Sequence, residues 1–261
     1  MKRMVLLINI LFSTLAFGRR DNNEKFLFLD VNIIDVSQSL LLAAKTREPT
    51  DSLLNLLQNL APEDLKKQLT NDDAKKTFWI NIYNACTQII LLKNPDKYKK
   101  RSSFFGSKQI LIAGKKLSLD DIEHGILRHS KIKWSLGYLN KLFPSRFEKS
   151  NRVDKVDYRI HFSLNCGAKS CPPIAFYKTE QINKQLDVAT KVYLKGEANY
   201  DEQKNSVSLP ALMGWFRADF GGKKKMKVLL RNLSIIPEGK SPSITFKKYN
   251  WNLYLENFKK E

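Results

Sequence analysis

The stretch NDDAKKTFWINIYNACTQIILL, residues 71–92, decides the fold. Asn71 is a preferred N-cap, and Asp72 and Asp73 place negative charge at the positive end of a helix dipole. From Phe78 onward the segment is apolar on nearly every side: Phe78, Trp79, Ile80, Ile82, Tyr83 and Ala85 follow one another with no solvent face. A helix apolar all round is a central helix, buried by its neighbours. Asn94-Pro95 ends it, because the residue before a proline is pushed out of the helical region.

The elements around it follow outward. Residues 35–47 and 51–60 carry leucines at helical spacing. Pro62 opens a third helix, with Glu63 and Asp64 in its first turn. After the central helix, residues 109–113 alternate like a strand and turn at Ala113-Gly114-Lys115. Ser118-Leu119-Asp120-Asp121 is a capping-box variant that starts a helix reaching about His129. Residues 158–164 read as a second strand. Thr179 caps a helix to about Lys195, residues 206–209 form a short strand, Pro210 opens a helical turn, and 223–233 is a further helix. Residues 243–247 and 251–255 read as a closing pair of strands. Residues 131–157 are basic and poorly patterned, a long surface excursion. Helices cluster first and short strands follow. That order predicts an α+β (mixed α/β) fold, a helix-rich N-terminal half packed on a small mixed or antiparallel sheet.

Composition agrees with a packed domain. The 261 residues are 43% hydrophobic and 11% aromatic, more than a disordered chain carries. Lys2 and Arg3 precede an apolar run at 4–17 broken only by Asn9, Ser13 and Thr14, and Ala16-Phe17-Gly18 offers small residues for cleavage. This is the pattern of a secretory signal peptide at 1–18, cut near Gly18, with a polar leader at 19–34 and one domain at 35–261. The run is shorter than the ~20 residues a spanning helix needs, so no transmembrane span is expected after signal removal. An uncleaved anchor is the alternative; either way the domain is expected to be secreted or periplasmic.

The formal net charge is +19. The lysines are scattered in short groups, with no aromatic-studded basic stripe and no nucleic-acid motif, so nucleic acid is not an expected partner. A small molecule or an anionic envelope polymer suits such a field better. A monomer is expected, and no cofactor can be named.

Three constellations carry chemistry. Thr77, Asn81, Asn84 and Gln88 share one face of the central helix. Buried amides must be paired, so they face either a ligand or a backbone they pin. In Asp121-Ile122-Glu123-His124, followed by Arg128 one turn later, a carboxylate, an imidazole and a guanidinium stand on one helix face. The third is His161-Phe162-Ser163-Leu164-Asn165-Cys166-Gly167-Ala168-Lys169-Ser170-Cys171-Pro172-Pro173, read as a strand running into a stiff turn with two cysteines. Outside the cytoplasm Cys166 and Cys171 suit a local disulfide. A nucleophilic Cys166 with His124 or His161 as base, or a metal held by His161, Cys166, Cys171 and His124, are the alternatives. Cys86, mid-helix among apolar residues, reads as an inert core thiol.

Residues 78–85, 121–128 and 161–173 resemble, in order, the signature blocks of the family known as domain of unknown function 547. Residues 249–253 resemble its closing block, and the resemblance runs from about residue 35 to the C-terminus. Bacterial members are often exported; in plants the domain occurs beside a leucine-zipper region, which this chain lacks. The resemblance implies a site drawn from Asn81, Asn84, Glu123, His124, Arg128, His161, Asn165, Cys166, Ser170 and Cys171, and no substrate. Two functions are expected from these residues. One is a polar ligand pocket, with Asn81, Asn84, Arg128, His161, Asn165 and Ser170 binding and a structural disulfide between Cys166 and Cys171. The other is a thiol-dependent hydrolase or transferase using Cys166, His124 and Glu123, and whether the chain is an enzyme stays open.

Overall fold

The computed structural model describes residues 31–259. The signal-peptide reading and most of the leader lie outside the described residues. Helix α1 (Ile33–Thr46) begins within the expected leader, capped by the Asn32 side chain, which accepts from the Ile34 N–H. Helices α2 (Asp51–Asn59) and α3 (Pro62–Gln68) follow, and then the central helix α4 (Asp72–Lys93). Asn71 caps α4 by accepting from the Ala74 N–H, as its sequence requires. Phe78, Trp79, Ile80, Ile82 and Tyr83 are almost wholly buried. Each contributes about 1.5–3 kcal/mol by leaving water. Helix α1 lies along α4 and supplies Leu40 and Leu41 to the same core.

A short helix α5 (Arg101–Gly106) leads to the hairpin of β1 (Ile110–Ile112) and β2 (Lys115–Leu117). Ala113 and Gly114 turn it with positive φ at both positions. Their N–H groups donate to the Leu57 and Gln58 carbonyls at 2.8 Å, which ties the turn to the end of α2. Residues Asp121–Leu127 form a π-helix. Its start is a reciprocal cap: Asp121 Oδ2 accepts from the Ser118 N–H and hydroxyl, and Ser118 Oγ accepts from the Asp121 N–H. The wider winding is seen at its end, where the Ser130 N–H reaches back to the Gly125 carbonyl.

The excursion at 131–157 holds only short helices, Lys133–Ser135 and α6 (Arg146–Asn151). Helix α7 (Ile182–Glu197) then runs to a mixed sheet of three strands, β3 (Asn199–Asp201), β4 (Ser206–Leu209) and β5 (Ser243–Phe246). Strands β3 and β4 are antiparallel, and β4 and β5 parallel. The crossover between β4 and β5 carries α8 (Ala211–Trp215) and α9 (Gly222–Asn232), which with α7 bury a second core around Phe162, Leu194, Met213 and Met226. The arrangement is α+β, helix-rich with small sheets.

Two expected strands are absent. Residues Tyr158–Phe162 form a 3-10 helix whose cap, Asp157, accepts from the Arg159 N–H. Alternation misleads there because Ile160 enters one core and Phe162 the other, and the alternate residues His161 and Ser163 are buried too. Residues 251–255 form no strand. They lie extended over the cysteine turn, joined by Lys169 N–H to Asn252 O and Tyr254 N–H to Gly167 O, both 2.8 Å.

Candidate active site

A cavity of about 360 Å³ opens between the π-helix, the cysteine turn, α8 and the C-terminal tail. Its walls are largely apolar: Phe105, Trp134, Leu136, Trp215, Phe216 and Trp251. Trp215 and Trp251 stack at 5.5 Å between ring centres. Among the polar groups that reach it are Glu123, His124, His161, Cys166 and Tyr249. A mostly apolar cavity with a few convergent polar groups is what a small-molecule site looks like.

Behind the wall runs one chain of hydrogen bonds. His161 Nε2 lies 2.8 Å from Asp219 Oδ2. Asp219 also takes two bonds from Arg128, at 2.6 Å from Nε and 3.2 Å from Nη2. Arg128 Nη1 lies 2.8 Å from His124 Nδ1. His124 Nε2 lies 3.5 Å from Asp120 Oδ1. The side chains of Arg128 and Asp219 are wholly buried.

This chain sets both tautomers. Burial works to raise the Asp219 carboxyl, but hydrogen bonds from His161 and Arg128 outweigh it and hold the group below the usual carboxylate range. Asp219 is therefore an acceptor, and His161 donates its Nε2 proton to it. Nδ1 keeps its lone pair and has no hydrogen bond among the described residues. Burial, opposed by Asp219, keeps the ring itself neutral by lowering its pKa. Phe216 stacks on that ring at 3.9 Å and 7°, and the Arg128 guanidinium lies over the Phe216 ring at 4.5 Å. Arg128 can only donate, so His124 accepts at Nδ1 and carries its proton on Nε2. One histidine is thus set up as a base and the other as a donor.

Cys166 is half-buried on the cavity wall, and Cys171 is buried behind it. Their sulfurs lie 2.7 Å apart, and the Cys166 N–H donates to Cys171 Sγ at 3.0 Å. Tyr249 Oη is 3.4 Å from Cys166 Sγ and 3.1 Å from Cys171 Sγ. The hydrogen bond from Cys171 lowers the Cys166 pKa; Tyr249 and the Ala168 N–H add to this against burial. Cys171 is pushed well above its ordinary value by burial and by the neighbouring Cys166. Burial also keeps Tyr249 protonated, so it stays a donor.

The structure brings Cys166, His124, Glu123 and His161 to one cavity. It sets the other expected ligand-binding residues apart from that cavity. Asn81 Nδ2 donates to the Tyr177 carbonyl and its Oδ1 accepts from the Tyr177 N–H. Asn84 does the same between the Ser163 carbonyl and the Asn165 N–H. Asn165 binds the Pro172 carbonyl and the Gly167 N–H. Asn81 and Asn84 thus pin the flanks of the cysteine turn to α4, with Asn81 Nδ2 also reaching Ser37 Oγ at 3.3 Å, and Asn165 braces the turn from within. Ser170 Oγ accepts from the Asn250 N–H and fastens the tail. Arg128 does not line the cavity itself; it touches the lining residues His124 and Phe216 and holds His161 through Asp219. Among the described residues no group of three His, Cys, Asp or Glu converges as a metal site.

Asp219, Phe216 and Trp215 escaped the sequence reading. A signal was present: an aspartate inside Trp215-Phe216-Arg217-Ala218-Asp219-Phe220 needs a buried partner if the aromatics pack. Which partner it takes is a tertiary fact.

The fold and site define a helix-rich α+β protein with a cysteine–histidine cavity. Residues 67–194 match the family model described as "Protein of unknown function, DUF547". The match spans the three long blocks; the tail block at 249–253 lies beyond it. No curated protein and no solved structure matches the chain.

Proposed function

We propose that this protein is a thiol-dependent acyl-transfer enzyme, a hydrolase or transferase, acting on a substrate with an apolar acyl group. The observation that carries this reading is the Asp219–His161 pair behind a cavity that also exposes Cys166, whose thiol is shifted toward the thiolate. A carboxylate holding one nitrogen of an imidazole leaves the other as a base, the logic of nucleophile–base–orienter sites.

In this reading Cys166 Sγ attacks the acyl carbon and its proton passes to His161 Nδ1. The bond to the leaving group breaks, and His161 returns the proton to that group. A thioester at Cys166 remains, which water or an acceptor hydroxyl or amine resolves with His161 again as base. His124, with its proton on Nε2, supplies the donor for the developing oxyanion. This assigns the base to His161 and gives His124 the other role, because Arg128 occupies the His124 lone pair. The export pattern at 1–18 would place the activity outside the cytoplasm.

The test is acylation of the reduced chain with 4-nitrophenyl octanoate, followed by intact and peptide mass. One octanoyl group on Cys166 is expected, absent in Cys166→Ala and slowed in His161→Ala. Acylation confined to lysines, or unchanged in Cys166→Ala, overturns the reading.

The 2.7 Å approach of Cys166 and Cys171 favours a second reading, a disulfide-stapled ligand pocket. Rapid alkylation of the chain in its native compartment, then peptide mass, separates the two. A linked pair that never acylates leaves the pocket.

A further inference from the structure

The excursion at 131–147 is a built surface rather than a loose loop. The Ile132 N–H donates to the Leu139 carbonyl at 2.9 Å, and the Lys141 N–H to the Ser130 carbonyl at 2.7 Å. Ser135 Oγ closes the inner turn on the Ile132 carbonyl at 2.7 Å. Gly137, at φ 89°, lies against Asp219 and Arg128. A backbone so fastened nevertheless turns its large apolar side chains outward. Phe143 is 93% exposed, Leu142 85%, Trp134 75% and Tyr138 60%. Scattered apolar residues on a surface need no explanation, but large apolar side chains exposed together on one fastened segment mark an interaction site.

Charge identifies the partner. Between residues 131 and 147 there are four cations, Lys131, Lys133, Lys141 and Arg146, and no Asp or Glu. Two of them are paired, Lys133 with Asp120 and Lys141 with Glu148. Lys131 and Arg146 make no ion pair among the described residues. The chain as a whole carries +19, which opposes association with a second copy and favours an anionic surface. Protruding Trp, Tyr, Phe and Leu framed by Lys and Arg suit the headgroup zone of a bilayer, where apolar rings enter and cations meet lipid phosphates.

The loop also forms the cavity mouth: Lys133, Trp134 and Leu136 line both. We propose that residues 131–147 dock the protein on an anionic lipid bilayer and turn the cavity toward the acyl chains. Docking is independent of Cys166 chemistry. Only the next step, capture of a lipid-borne acyl group by Cys166, rests on the thiol reading.

The experiment is flotation of the full chain with phosphatidylcholine vesicles containing or lacking about one third phosphatidylglycerol, at low and raised salt. The comparison variant is L142S/F143S, whose side chains face solvent and leave the core intact. A second measurement quenches tryptophan fluorescence with bromine-labelled lipid chains, comparing the natural chain with W134F, so that only the loop is read. Binding is expected with the anionic vesicles, weakened by salt and about 30-fold or more by L142S/F143S. The quenching is expected to fall in W134F. Equal flotation of L142S/F143S, or no quenching at Trp134, overturns the proposal. So does a natural chain that dimerises through this patch and ignores vesicles. Cys166→Ala should float normally; if it does while octanoyl transfer fails in every form, the thiol reading falls and docking stands.

Discussion

Asp219 holds His161 from 58 residues further along the chain, its Oδ2 taking the Nε2 proton at 2.8 Å. The same oxygen meets Arg128 Nε at 2.6 Å, so one buried carboxylate orients a histidine and neutralises an arginine together. Removing it should be costly. Asp219→Asn leaves the Arg128 charge buried without its partner, and a loss of about 3–5 kcal/mol is expected in urea denaturation. A loss under 1 kcal/mol would show that Arg128 has another outlet.

Acid should destabilise the fold in two stages. His161 and Asp219 both have pKa values lowered in the folded chain, from ordinary values of 6.5 and 3.8. Burial is the main cause for His161; for Asp219, bonds from His161 and Arg128 overcome burial. The unfolded chain therefore binds more protons on the acid side. The His161 contribution is complete above pH 6.5 and declines as pH falls from there through the folded value. The Asp219 contribution is complete above 3.8 and declines below it in the same way. Denaturation midpoints measured from pH 8 to pH 3 should fall, with the first decline weakened in His161→Asn. A midpoint that rises on acidification contradicts the assignment.

Gly137 should tolerate no side chain. Its φ of 89° disfavours any L-residue, and a Cβ would collide with Asp219 Oδ1. Gly137→Ala is expected to cost about 1–3 kcal/mol in thermal or urea unfolding. An unchanged midpoint would mean that the loop shifts freely off the Arg128–Asp219 pair.

Asn84 should behave as scaffold. Its amide joins the Ser163 carbonyl to the Asn165 N–H at 2.9 and 2.8 Å, and Asn84→Ala orphans both. About 1–3 kcal/mol for each group is the expected loss. Denaturation reads this directly, and near-neutral stability would return Asn84 to the list of ligand contacts.

The three thiols should react in order. In the reduced native chain iodoacetamide should label Cys166 first and at lower pH than an ordinary thiol, since its pKa lies below 9.0. Cys171 is buried and shifted upward, and burial pushes Cys86 up to about 12. Timed alkylation with peptide mass checks this; Cys86 reacting alongside Cys166 would be incompatible with a closed core.

Local physics carried much of this fold in the sequence. Asn71 and the aspartates after it start α4, because a cap needs only a side chain and the next few N–H groups. The apolar run from Phe78 declares burial whatever covers it. Ser118 and Asp121 announce their reciprocal cap, and the four-residue step from His124 to Arg128 predicts their contact. The cysteine turn was visible as a unit, and so were Cys166, His124, Glu123 and His161 as groups capable of chemistry.

Tertiary structure decided which of those groups share a cavity. Asn81, Asn84 and Asn165 looked like ligand contacts because an amide in an apolar setting needs a partner. Only the approach of distant backbone showed that partner to be Tyr177, Ser163 and Pro172. The 3-10 turn around His161 replaced a strand because residues on both sides of it enter separate cores, which no local alternation encodes. Asp219 and Tyr249 reach the site from far along the chain. Spacing along one element orders its own side chains, whereas the proton positions on His124 and His161 depend on groups that only folding brings within hydrogen-bond distance.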